Sequence, residues 1–136
     1  MITNADITIY NGYITDDGLN AYQETQIKGV SFYTKQETTT DETGLSSADN
    51  YQIRIPVTAD TNGRTYVEAD KFQTASDKER KQHWTIDNGD LFVKGLYEAI
   101  RKATQITDLP NSGQIVSFSD NRRGAFSMHH FRIGGK

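Results

Sequence analysis

The sequence predicts a mainly β domain, a small barrel or sandwich with one or two short helices and long loops. Short segments alternate apolar and polar residues with period two, the pattern of half-buried strands. Glycine, asparagine and aspartate punctuate the chain between them, which suits many tight turns. The 136 residues, 35% apolar and 24% charged, fit one domain over 1–136 with a lean core.

The elements follow in order. "DITIYNGY" starts as a strand with Ile7 and Ile9 on one side, then meets a turn signal at Asn11-Gly12. "QIKGVSFYT" is a second strand, and Gly29 as a bulge switches the face between Ile27 and the Val30/Phe32 pair. Residues 36–50 are polar, acidic and rich in threonine and serine, and predict a long exposed loop. Loops of that length are uncommon without a purpose, although solvated disorder is the plain alternative. "NYQIRIPV" is the clearest strand, with Tyr51, Ile53, Ile55 and Val57 on one side and Gln52, Arg54 and Pro56 on the other. Pro56 donates no ladder bond, so it marks a sheet edge or a strand terminus. Asn62-Gly63 predicts a tight turn, and "ADKFQTASDKERKQ" a short surface helix.

"HWTIDNGDLFVKG" reads as strand, turn at Asn88-Gly89, strand, with Trp84 and Ile86 on one face, and Leu91 and Val93 facing away from Phe92. Leu96, Ala99, Ile100 and Ala103 follow helical spacing and predict one short helix. "QIVSFS" is a strand, "DNRRGA" an exposed turn and "FSMHHFRI" the last strand.

Composition narrows the function classes. With no cysteine, disulfides and thiolate metal sites are excluded. No apolar run approaches the roughly 18 residues of a membrane span, and "MITNADITIY" lacks the regions of a signal peptide. These features predict a soluble intracellular protein. The net charge of −3 is uneven: residues 1–68 hold four Lys/Arg against ten Asp/Glu, and residues 69–136 hold eleven against eight. This is not the balance of a nucleic-acid-binding domain. It allows self-association through opposite charges, or it means nothing if the halves mix in the fold.

No nucleophile elbow, P-loop or dinucleotide fingerprint is present, and the sequence predicts no enzyme, metal or cofactor. His129 and His130 are adjacent, so in a strand they face opposite ways and do not readily share one ion. Asp87 and Asp90 flank an Asn-Gly turn, where carboxylates cap nearby backbone N–H groups. One alternative remains, a small β-barrel enzyme or ligand binder using His83, His129 or His130 with Asp87 or Asp90. Trp84 is a core residue or an interface anchor. Arg122 and Arg123 suit a solvated turn, a phosphate contact or an acidic partner. In the last strand Phe126, Met128, His130 and Arg132 fall on one side, and Ser127, His129, Phe131 and Ile133 on the other. Mixed faces of this kind suit a strand that packs on its own barrel and on a neighbouring subunit.

"HWTIDNGDLFVKG", followed by a variable segment and the terminal "SFSDNRRGAFSMHHFRIGGK", resembles the head-closure proteins of tailed bacteriophages. These are also called head-completion, stopper or minor capsid proteins of the phage neck. The likeness covers about residues 48–136 and is carried by Gly89-Asp90, Val93-Lys94-Gly95, His129-His130 and the upstream "YQIRIP". It departs at "LYEAIRKATQITDLPNSG", which intervenes where those proteins run almost directly into the closing strands. The resemblance implies a virion protein made in the host cytoplasm, one of six or twelve copies in a ring. That ring would sit between the portal–adaptor complex and the tail terminator or tail tube and retain the packaged DNA, with a non-specific contact to that DNA left open. The implied channel or neighbour loop holds Glu37, Asp41, Glu42 and Asp49. The candidate interface holds Trp84, Asp90, Arg122, Arg123, His129, His130 and Arg132. A tail-terminator ring from the same neck is the nearest alternative.

Overall fold

A computed structural model describes residues 3–34, 51–121 and 129–136. Its strands are β1 (Ala5–Ile14), β2 (Asn20–Thr34), β3 (Tyr51–Pro56), β4 (Thr65–Tyr66), β5 (His83–Trp84), β6 (Leu91–Lys94), β7 (Ser112–Asn121) and β8 (His130–Gly135). Three short helices join them: α1 (Ala69–Thr74), α2 (Asp77–Arg80) and α3 (Thr104–Thr107). Six strands close into an antiparallel barrel in the order β1-β2-β3-β8-β7-β6, with β6 returning to β1. The mainly β barrel class holds.

The period-two pattern sets the inside of the barrel. Ile7, Ile9, Ile27, Phe32, Ile53, Ile55, Phe131 and Ile133 are all buried in one core cluster. Gly29 is the expected bulge: Ala5 pairs with Val30 while Asp6 pairs with Lys28, so Gly29 has no counterpart. Its φ of 84° is a conformation glycine adopts without a Cβ clash. Pro56 is the last residue of β3, as the sequence implied. Asn62 and Gly63 both have positive φ, and the Arg64 N–H donates to the Thr61 carbonyl at 3.3 Å, the pattern of a type I′ turn.

Asn11-Gly12 is not a turn. β1 runs through it to Ile14, and the chain reverses at 15–19, where the Thr15 N–H donates to the Leu19 carbonyl at 2.8 Å. The "HWTIDNGDLFVKG" segment is not a hairpin either. Gly89 does turn, at φ 95°, but β5 pairs in parallel with β4, while β6 enters the barrel between β1 and β7.

The polar stretch before β5 forms two helices rather than one. Arg80 ties them together: its Nε donates to the Phe72 carbonyl at 3.0 Å and its Nη1 to Asp77 at 2.6 Å. It thereby satisfies carbonyls that the end of α1 leaves without intrahelical donors. Its guanidinium also lies 4.5 Å from the Tyr13 ring centroid, which docks the pair on β1.

No helix forms over 96–103, and Leu96 is exposed. The segment is a strap across the outside of β1 and β6. Tyr97, Ile100, Ala103 and Leu109 pack there against Tyr10, Leu91, Val93 and Ile106. Its backbone bonds to the strand beneath instead of to itself: the Tyr97 N–H donates to Thr8 Oγ1 at 2.9 Å, and Tyr10 Oη donates to the Glu98 carbonyl at 2.7 Å. Those tertiary bonds outweigh the helical spacing of its apolar residues.

The last residues complete the barrel. Gln114 and Lys136 exchange two backbone hydrogen bonds of 3.0 Å. A Cβ at Gly135 would collide with the Phe92 ring, and one at Gly113 with the Lys136 carbonyl. The terminal glycines therefore let Phe92 fill the space beside the closing strands. No helix among the described residues is long and apolar enough to cross a membrane.

Candidate functional site

A buried polar joint lies between β1 and the β5–β6 link. Asp90, 7% exposed, accepts from Asn11 Nδ2 at 2.8 Å and from the Gly12 N–H at 3.1 Å. Asn11 Nδ2 also donates to the Thr85 carbonyl at 2.7 Å, and Asn11 Oδ1 accepts from the Thr85 N–H at 3.3 Å. Burial pushes the Asp90 carboxyl up to about 6, and neighbouring Asp87 adds to the rise, while the bonds from Asn11 and Gly12 oppose it. A cleft of about 370 Å³ opens beside it, lined in part by Gly12, Tyr22, Gln73 and Asp90. Both Asp90 oxygens already serve the joint, so its present work is to hold the "DNGD" turn against β1.

The outer face of β2, β3, β8 and β7 is different. Antiparallel register places Ser31, Arg54, Arg132 and Ser119 in one row, and Tyr33, Gln52, Gly134 and Ser117 in the next, with Ser31 and Gly134 buried. Arg54 and Arg132 stand directly opposite each other, both exposed, beside a half-exposed Tyr33. A groove of about 230 Å³ runs along this face, lined by Gln52, Ser117, Phe118, Ser119, Arg132 and Gly134. Arg132 also makes an interaction within its own chain.

β1 is three places from β8 in the six-strand cycle, on the far side of the barrel. Its turn into β2 carries Ile14 at 60% exposure and Leu19 at 67%, with Asp16 and Asp17 exposed between them. The turn is pinned to α2. The Asp16 N–H donates to the Asp77 carboxylate at 3.2 Å, and the Asp77 N–H returns a bond of the same length to Asp16 Oδ2.

The sequence-predicted residues separate accordingly. Trp84 is no surface anchor: it is 2% exposed, with its ring 5.2 Å from that of Tyr66 and 5.9 Å from that of Phe131. The parallel pairing of β5 with β4 tucks it into the core. Asp90 leaves the interface set for the same reason, burial within its own chain. Arg132 lies on the outer face. His130 opens β8, half-buried opposite Pro56 and Asn121, and the His129 carbonyl accepts from the Val57 N–H at 3.2 Å. Within β8 the inward residues are Phe131 and Ile133 and the exposed one is Arg132, so the described part alternates conventionally. Glu37, Asp41, Glu42, Asp49, Arg122 and Arg123 lie outside the described residues, as do Phe126, Ser127 and Met128.

Among the described residues no group of three or more His, Asp or Glu side chains is placed to hold a metal ion. His83 Nδ1 and Thr85 Oγ1 are buried without a hydrogen-bond partner. Sequence reasoning missed Asn11, hidden behind a turn signal, and Leu19, Tyr33 and Arg54 as surface features. Arg54 was readable as an outward residue of its strand, but its position opposite Arg132 follows only from the β3–β8 register.

No curated protein and no solved structure matches the chain. A family model does match, over residues 2–136, and the chain belongs to that family of unknown function, DUF6751.

Proposed function

We propose that this protein is the head-closure subunit of a tailed-bacteriophage neck, a structural ring protein between portal–adaptor complex and tail. The reading rests on the sequence resemblance, and one observation supports it above the others. The two separate stretches that carry the resemblance meet in space, where Phe92 of the first packs on Gly135 of the second and β7 joins β6 to β8. Gly89-Asp90 has a structural role in that meeting, because Asp90 fixes the turn into β6. Of the intervening segment that departs from the family pattern, residues 96–111 pack outside β1 and β6, and its last two residues, Ser112 and Gly113, begin β7 beside β6.

Immunogold labelling of intact virions with an antibody to this chain tests the assignment. Gold at the head–tail junction is the expected result, and gold over the capsid shell or distal tail, or none on any particle, would overturn it.

A further inference from the structure

We infer that copies of this chain meet head-to-tail, with the β1–β2 turn of one copy seated on the outer β3–β8 face of the next. The inference rests on the ring reading above and names its contact. The turn presents an apolar knob, Leu19 with Ile14, beside the charges of Asp16 and Asp17. Its reciprocal bonds to Asp77 hold it in shape before contact, which lowers the ordering cost of docking. The receiving face presents Tyr33 and Arg54, two residue types enriched among interface anchors, beside the Gly134 groove. Arg54 and its cross-strand neighbour Arg132 give that face the opposite charge to the turn.

The two surfaces differ from each other: one is the turn that ends β1, the other the outer face of β3 and β8 with Tyr33 of β2. A contact between them is heterologous, and repeated copies build a closed ring or an open filament, whereas a two-fold dimer is not formed. Asp16 and Asp17 approach Arg54 while Leu19 enters the groove, so charge sets the register and the apolar knob resists dissociation.

The absence of cysteine in the chain makes the test direct. Leu19→Cys and Tyr33→Cys are both exposed changes, and circular dichroism checks that each variant keeps the wild-type fold. Purified protein at its highest soluble concentration is treated with a short bismaleimide. An equal mixture of the two single variants should give dimers and nothing larger, and the double variant should give a ladder of multimers. Adding Arg54→Glu should cut the ladder roughly tenfold, the effect of one repulsive rim pair, and adding Asp17→Arg to that should restore it. Dimers from Leu19→Cys alone, or no ladder from the double variant, would overturn the contact. A ladder from a protein absent from phage necks would keep the contact and remove the neck reading. A neck protein that gives no ladder would do the reverse.

Discussion

Asp90 holds two parts of the chain together at an electrostatic cost. Its carboxylate receives donors from Asn11 and Gly12, yet burial raises its pKa from 3.8 to about 6. A raised folded pKa means that the folded state binds this proton more tightly than the unfolded chain does. The resulting stability is fully present below about pH 4 and is lost as pH rises through about 6, up to roughly 3 kcal/mol for a shift of this size. Asp90→Asn lacks that titration. In urea unfolding across pH 4–7, wild-type stability should fall relative to that of Asp90→Asn as pH rises. A difference that stays flat or grows in favour of wild type would contradict this account of the joint. Asn11 shows why the joint was illegible in the sequence. Asn-Gly is a strong local turn signal, and here four hydrogen bonds to residues over seventy positions away overrode it.

At the scale of elements, local pattern and long-range pairing were unequally readable. β2, β3 and β6 show their alternation openly, and Gly29 and Asn62-Gly63 show their backbone geometry through residue type. The pairing of β5 with β4, and the strap in place of a helix, depend on partners far along the chain. Leu96, Ala99, Ile100 and Ala103 carry helical spacing, but Thr8 and Tyr10 offer the strap's backbone alternative hydrogen bonds. The terminal "GGK" becomes intelligible only once Phe92 is seen against Gly135. Gly135→Ala should therefore cost about 1–3 kcal/mol, as overpacking of a filled core does. Its melting temperature should fall below that of the wild type. Equal melting temperatures for Gly135→Ala and wild type would show that Phe92 moves freely and that the glycine does not matter for closure.

For the whole molecule, the barrel class was accessible from composition and period, while the function depends on resemblance and on surface arrangement. The barrel displays two dissimilar surfaces, the β1–β2 turn with its exposed Ile14, Asp16, Asp17 and Leu19, and the β3–β8 face with Arg54 and Arg132. That arrangement suits a subunit with several different neighbours better than an isolated monomer. The deciding measurement is electron microscopy of phage particles grown without this protein, scored for DNA content and attached tails. The head-closure account predicts empty or leaking heads beside separate tails of normal length. Full, stable heads beside overlong or uncapped tails would contradict it in favour of a tail terminator, and normal infectious particles would contradict any role in the neck.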